Sequence, residues 1–72
     1  MNKINPKKLL HSKWTNTDPR NKEKHFIVME VEYDEFDKEV VACQIEAVIS
    51  KRSMPIEWQD LKESTKWLHG WQ

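Results

Sequence analysis

Two segments in the middle of the chain alternate between apolar and polar residues with a period of two. They span Phe26–Tyr33 and Val40–Ile49, and an acidic connector, Asp34–Glu39, separates them. A period of two is typical of strands that bury one face. The connector contains no glycine, which favours a longer loop using Asp34 and Asp37 over a two-residue turn. The pattern therefore predicts an antiparallel hairpin over residues 25–49.

The apolar faces also predict the register of this hairpin, because a slip of one residue would turn every side chain to the other face. In the first strand the predicted core face carries four residues: Ile27, Met29, Val31 and Tyr33. In the second strand it carries five: Val41, Cys43, Ile45, Ala47 and Ile49. Joining these faces sets Tyr33 opposite Val41, Val31 opposite Cys43, Met29 opposite Ile45, and Ile27 opposite Ala47. The reverse face is predicted to be solvated and to carry three glutamates: Glu30, Glu32 and Glu46.

The chain before the hairpin is predicted to contain a short helix, a short strand and a loop. Asn5 can cap a helix and Pro6 suits the first helical position, so a turn or two is expected within Asn5–Leu10. The segment Ser12–Thr15 favours a strand, because Trp and Thr fit a pleated surface. Asn16–Lys24 is expected to be a loop, with Asp18-Pro19 as its turn signal.

After the hairpin and a turn at Ser50–Ser53, the spacing of apolar residues changes. Met54, Ile56 and Trp58 alternate and predict a short strand, which Pro55 would place at a sheet edge; a helix from Ser53 is the alternative. Further on, apolar residues at helical spacing predict a short helix over Gln59–Lys66. The only glycine, Gly70, is placed to end this helix or to turn the chain.

These elements predict one small domain over residues 1–72. The fold class is α+β, mainly β: an antiparallel meander of three to four strands with a short C-terminal helix. A curled sheet would give an SH3-like half-barrel, and an open sheet is equally allowed. The domain divides into a basic N-terminal arm (1–24), a strand region (25–58), and a short helix with a tryptophan-rich tail (59–72).

A net charge of zero conceals a segregation of charge along the chain. Residues 1–25 hold seven Lys or Arg and two acidic groups, whereas residues 26–50 hold seven acidic groups and one Lys. We expect the N-terminal segment to lie against the sheet, with Leu10 and Trp14 making apolar contact. Its lysines Lys7, Lys8 and Lys13 would then face the reverse-face glutamates. A salt-sensitive dimer and a solvated tail are the alternatives.

Several classes of chemistry find no support in the sequence. A single cysteine, Cys43, allows no intramolecular disulfide and is predicted to point into the core, where a thiol is inert. The three histidines fit no metal-ligand spacing, and one glycine cannot build a phosphate loop. We therefore expect a protein that is not an enzyme and that uses no metal or cofactor.

The remaining functional signals are basic residues and tryptophans. Candidate binding residues are Lys7, Lys8, Lys13, Trp14, Arg20, Lys22, Lys24 and Trp71. One hypothesis is a protein-interaction module that binds an unknown partner or itself, since tryptophan is enriched at interface hot spots. The alternative is an RNA- or single-stranded-DNA-binding accessory protein, in which the basic arm contacts phosphates and an exposed Trp14 stacks on a base. Trp14 as a core residue is the competing interpretation.

No segment is apolar enough for a signal peptide or a membrane span, so a cytoplasmic location is expected.

Seven short motifs spread along nearly the whole chain carry a family resemblance: Asn5-Pro6-Lys7-Lys8-Leu9-Leu10, Ser12-Lys13-Trp14-Thr15, Asn21-Lys22-Glu23-Lys24-His25-Phe26, Glu46-Ala47-Val48-Ile49-Ser50-Lys51-Arg52, Ile56-Glu57-Trp58, Asp60-Leu61-Lys62 and Trp67-Leu68-x-Gly70-Trp71. Together they resemble a family of small, uncharacterised, tryptophan-rich bacterial proteins. The resemblance implies a bacterial source and no particular activity. It carries over no catalytic or binding residue.

Overall fold

A five-stranded antiparallel sheet forms the protein, and the computed structural model describes residues 2–20, 22–36 and 39–72, except for the side chain of Arg20. The strands are β1 (Lys13–Arg20), β2 (Glu23–Tyr33), β3 (Val40–Ala47), β4 (Ser53–Pro55) and β5 (Trp67–His69). Their order across the sheet is β4-β3-β2-β1-β5. The two helical segments of the described chain are 3₁₀ turns, η1 (Pro6–Lys8) and η2 (Trp58–Lys62). The mainly β, antiparallel character is confirmed, and the strand count is higher than predicted.

The predicted C-terminal helix over Gln59–Lys66 is wrong. The chain makes the 3₁₀ turn η2, whose buried residue is Leu61, and then a turn that leads into β5. Strand β5 pairs with β1, setting Leu68 opposite Thr15. Trp67 packs edge-on against Phe26 with ring centroids 5.3 Å apart. Tertiary packing of the aromatic side chains thus overrides the helical spacing of the apolar residues.

The expected loop over Asn16–Lys24 is also wrong, because β1 continues to Arg20 and β2 already begins at Glu23. The second half of β1 is held from the side of β5. Asn16 pairs with Trp67, and the backbone N–H of Thr17 donates to the carbonyl of Lys66 at 2.9 Å. The β1–β2 pairing is irregular between Thr15 and Arg20. Pro19 lies in this irregular stretch, where the missing backbone N–H of a proline is tolerated.

The central hairpin is confirmed, but two β-bulges change its register. Val31 lies opposite Cys43 and Glu30 opposite Gln44, as predicted. Met29 is then an extra residue of β2, so that Val28 lies opposite Ile45, and Phe26 opposite Ala47. Val41 is an extra residue of β3, so that Tyr33 lies opposite Val40. The predicted partners of Met29, Ile27 and Tyr33 are therefore wrong.

Burial follows the bulged register. Phe26 and Val28 are buried, whereas Met29 and Val41 are 44% and 62% exposed. Ile49, also assigned to the core face, lies beyond the end of β3 and is 67% exposed. Asp37, proposed as a residue of the connecting loop, lies outside the described residues.

The short edge strand predicted from Met54, Ile56 and Trp58 is confirmed in part: β4 lies at one edge of the sheet and contains Pro55, but it ends there, and Trp58 begins η2. The alternative helix from Ser53 is wrong. β4 pairs with β3 over three positions, which places Met54 opposite Ile45. Ile56 then adds one further backbone hydrogen bond, from its N–H to the carbonyl of Cys43 at 3.0 Å.

The N-terminal segment docks on the sheet. The predicted helix is the single turn η1, where Asn5 Oδ1 accepts a hydrogen bond from the Lys7 N–H at 3.0 Å. The Tyr33 hydroxyl donates to the Pro6 carbonyl at 2.7 Å. The Asn2 side-chain amide donates to carbonyl oxygens of Leu61 and Trp67. The docking itself is as expected, but the predicted apolar contact of Leu10 is wrong, because Leu10 is 46% exposed.

The core draws on every part of the chain. Its buried apolar residues are Leu9, Trp14, Phe26, Val28, Cys43, Ile45, Ala47 and Leu61. Trp58 and Trp67 are partly buried and pack against this cluster. Neither of the described 3₁₀ turns has the length or the apolar character that crossing a membrane requires.

Candidate interaction surfaces

Two of the predicted binding residues, Lys13 and Trp71, come together on the reverse face of the sheet. The Lys13 ammonium lies 4.7 Å from the centre of the Trp71 ring, in a cation–π contact. The Trp71 indole N–H donates to the Phe26 carbonyl at 2.9 Å. Gly70, with φ of +84°, provides the turn that brings the tail back over β1, where the Gln72 N–H donates to Thr15 Oγ1. The tail is thus a packed part of the fold, although Trp71 remains 43% exposed.

Trp14 lies in the core, with 1% of its surface exposed. Its indole N–H donates to Ser12 Oγ at 2.8 Å, and its ring stacks on His69 with centroids 4.8 Å apart. Stacking on a nucleic-acid base requires an exposed ring face. The structure therefore places Trp14 in the core position that competed with the stacking role.

The other predicted basic residues do not converge on one site. Lys7 and Lys8 belong to η1, Lys22 lies in the turn between β1 and β2, and Lys24 is exposed on β2. The side chain of Arg20 lies outside the described residues. Lys7, Lys8 and Lys13 make no ion pair with the reverse-face glutamates, since the one ion pair of the described chain joins Arg52 to Glu23. Among the described residues, the docking of the arm therefore includes no ion pair to these glutamates.

A groove runs along the outer edge of β3, and the sequence analysis did not find it. We call it the β3-edge groove; it has a volume of about 360 Å³ and is lined by Val40–Gln44 and Pro55–Trp58. It exists because β4 pairs only with Gln44–Glu46, after which the chain turns away into η2. Finding it from sequence would have required knowing that β4 is three residues long, a length set by the onset of η2.

One charged residue, Glu57, belongs to the lining of the β3-edge groove as the described chain forms it. The exposed Glu39 directly precedes the lining residue Val40 in sequence. The Lys62 ammonium lies 4.6 Å from the centre of the ring of Trp58, which also lines the groove. The groove therefore combines exposed apolar surface with an acidic residue in its lining.

Cys43 forms part of the groove wall, but its side chain points into the core. It is 3% exposed, which confirms its predicted burial. Desolvation by burial raises the pKa of the Cys43 thiol, which disfavours the reactive thiolate. Among the described residues, no group of three or more His, Cys, Asp or Glu side chains is arranged to hold a metal ion.

A second cavity, which we call the N-terminal pocket, lies between the N-terminal segment and the sheet. It has a volume of about 230 Å³. Its lining includes the buried Leu9 and Trp14, the exposed His69, and the two lysines Lys3 and Lys8. Two candidate binding residues, Lys8 and Trp14, thus contribute to one cavity.

The comparisons with known proteins give one match. A family model described as Tryptophan-rich protein (DUF2389) matches residues 12–72. The proposed resemblance to a tryptophan-rich family is confirmed, and the first of the seven motifs, Asn5–Leu10, precedes the matched region. Neither the curated proteins nor the solved structures contain a match to this chain.

Proposed function

The chain belongs to the tryptophan-rich protein family DUF2389, a family of unknown function, and we propose from its geometry that it is a non-enzymatic protein-interaction module. Its partner is an extended segment of another protein, which carries Lys or Arg residues and binds in the β3-edge groove. The segment adds to the sheet beside β3, in the mode known as strand addition.

The uncovered edge of β3 is the observation that carries this proposal. In the described chain no strand pairs with the outer side of Val40–Ala42, and Ile56 contributes one hydrogen bond at Cys43. An uncovered strand edge presents backbone groups that an extended peptide can pair with. The half-buried Val40, Ile56 and Trp58 supply apolar surface for alternate side chains of such a peptide.

Charge decides which extended segment fits. Glu57 in the groove lining and the exposed Glu39 just before it in sequence both favour a segment with Lys or Arg. A second copy of this chain would bring its own Glu39 and Glu57 to the same place, and like charges across a strand pair are destabilising. Complementarity therefore favours a basic partner over self-association through β3.

A binding role also agrees with the chemistry of the groove wall. Its thiol, Cys43, is buried with a raised pKa, and its carboxylate, Glu57, is exposed. A nucleophile or general base needs both access and a suitable pKa. The buried Cys43 thiol meets neither requirement, which supports a binding role for this wall.

Selection from a library of short displayed peptides tests the proposal. We expect enrichment of sequences in which β-branched or aromatic residues alternate and Lys or Arg flank them. Val41→Lys should weaken the selected peptides on the order of tenfold, because it removes apolar contact and adds a like charge. Ile49→Lys is the matched control, since Ile49 is equally exposed but lies outside the groove. Selected peptides that bind the wild type and both variants equally would contradict the groove as the site.

The competing functions give different results. A dimer that sediments at twice the monomer mass, and that Val41→Lys dissociates, would assign the groove to a second copy. Retention on RNA or single-stranded DNA that falls steeply with salt would support the nucleic-acid alternative. Either outcome in the absence of peptide enrichment would replace the proposed partner.

A further inference from the structure

The N-terminal pocket has the features of a small-molecule site and is separate from the β3-edge groove. The half-buried Ile4 and the ring of the exposed His69 provide apolar and aromatic surface in its lining, whereas Leu9 and Trp14 are buried in the core. Sites for small ligands are concave and mostly apolar, with a few polar groups that orient the ligand. Ile4 and His69 provide apolar and aromatic lining, and Lys3 and Lys8 provide the polar groups.

Two neutral polar groups of the pocket, Ser12 Oγ and Asn5 Oδ1, already have partners within the protein. Ser12 Oγ donates to the Leu9 carbonyl at 2.6 Å and accepts from the Trp14 indole. Asn5 Oδ1 accepts from the Lys7 N–H. These hydrogen bonds shape the pocket, and the Lys3 and Lys8 side chains of its lining are exposed.

Those charged groups are all basic. Lys3 and Lys8 belong to the lining with His69, and the lining contains no Asp or Glu. In the described part of the chain, neither lysine ammonium has a hydrogen-bond or ion-pair partner. Positive charge next to an apolar, low-dielectric wall attracts an anion more strongly than the same charge on an open surface.

We infer that the N-terminal pocket binds a small organic carboxylate with a compact aromatic or alicyclic body. The body packs against Ile4 and the His69 ring, and the carboxylate faces Lys3 and Lys8. A water molecule occupies about 30 Å³ in the liquid, so the cavity of about 230 Å³ has the volume of several waters. That volume accommodates a six-membered ring with its carboxylate. The inference goes beyond the proposed function, because it concerns a different surface and a different class of ligand.

A titration of the full chain with benzoate tests this inference. The probe signal is the Trp14 indole N–H resonance in a ¹⁵N-correlation spectrum, because this group is fixed by Ser12 inside the pocket. We expect a saturable shift with a dissociation constant on the order of 1 mM, as ligand efficiency allows for so small a ligand. Benzyl alcohol, which has the ring without the charge, and inorganic phosphate, which has charge without a ring, should each bind more weakly.

Paired variants separate the site from general charge effects. Lys3→Gln with Lys8→Gln should weaken benzoate on the order of tenfold, since each ammonium contributes a modest ion pair. Lys7→Gln with Lys24→Gln removes the same charge from residues outside the pocket and should leave binding unchanged. The inference is overturned if benzoate does not saturate the Trp14 signal, if benzyl alcohol binds equally well, or if the two double variants behave alike.

Discussion

Arg52, in the turn before β4, donates from Nε to the carboxylate of Glu23 at the start of β2, with 3.1 Å between Nε and Oε2. A second guanidinium nitrogen donates to the other carboxylate oxygen, and Ser50 Oγ donates to Oε2 at 2.6 Å. Glu23 is 5% exposed, so this pair joins two distant parts of the chain at the edge of the core. Hydrogen bonds from Arg52, and then from Ser50, lower the pKa of Glu23.

The lowered pKa predicts a specific acid sensitivity. The folded protein holds the ionised form of Glu23 more favourably than the unfolded chain does. The resulting stability is present above about pH 4.3, the ordinary glutamate pKa, and is lost as pH falls through the folded value. We expect Glu23→Gln to lower the melting temperature at pH 7 and to flatten its dependence on pH below about 4.3.

Glu32→Gln is the control for this prediction, because Glu32 is exposed on β2 and its substitution changes the net charge by the same amount. Its melting temperature should remain close to that of the wild type at pH 7. A wild-type acid dependence retained in full by Glu23→Gln would show that other groups cause it.

Substitution of the buried Ile45 should strongly destabilise the hairpin. It is 1% exposed and lies opposite Val28. Ile45→Ala should cost about 2–4 kcal/mol, because it leaves a cavity in a small core. Met29→Ala and Glu30→Ala should each cost less than about 1 kcal/mol, because both side chains are exposed. Urea melts that rank Met29 with Ile45 would contradict the bulged register.

The bulges show how far the sequence predicts this fold. Alternation correctly predicts both strands of the hairpin and the register near Val31, since each pair there follows from the period of two. It cannot show that Met29 and Val41 are extra residues, because a bulge changes the phase without changing the composition. Phe26 and Val28 belong to the core only because Met29 shifts that phase.

The two candidate surfaces are harder to predict from the sequence than the strands are. Basic and aromatic composition drew attention to Lys8 and Trp14, and both residues line the N-terminal pocket. The pocket itself depends on contacts between residues far apart in the chain, such as Asn2 with Trp67. The β3-edge groove likewise depends on where β4 ends, which is decided by the packing of Leu61 in η2. Local patterns contain neither relationship.

Cys43 should react slowly with a thiol reagent in the native protein and rapidly in denaturant. Its burial restricts access, and its raised pKa lowers the thiolate fraction. A Cys43→Ala chain that carries Ala42→Cys provides the comparison, because position 42 is exposed. Native labelling of Cys43 as fast as that of the position-42 cysteine would show that the groove wall opens readily.

Adjacent leucines in the N-terminal segment allow a sharp test of how that segment docks. Leu9 is fully buried in the core, whereas Leu10 is 46% exposed. Leu9→Ala should cost about 2–4 kcal/mol, and Leu10→Ala less than about 1 kcal/mol, although the two changes are chemically identical. Deletion of residues 1–12 should also lower the melting temperature, because it removes Leu9 and the hydrogen bonds of Asn2 and Pro6.

Salt then distinguishes apolar from electrostatic docking. No ion pair of the described chain joins the segment to the sheet, and its contacts are Leu9 packing and neutral hydrogen bonds. The loss of stability on deletion of residues 1–12, which removes Lys3, Lys7 and Lys8, should therefore be the same at low and high salt, because screening acts on charges. Equal costs for the two leucine substitutions would place the segment in solvent. A cost of the deletion that falls with salt would restore the charge-driven docking that the segregation of charge along the sequence suggests.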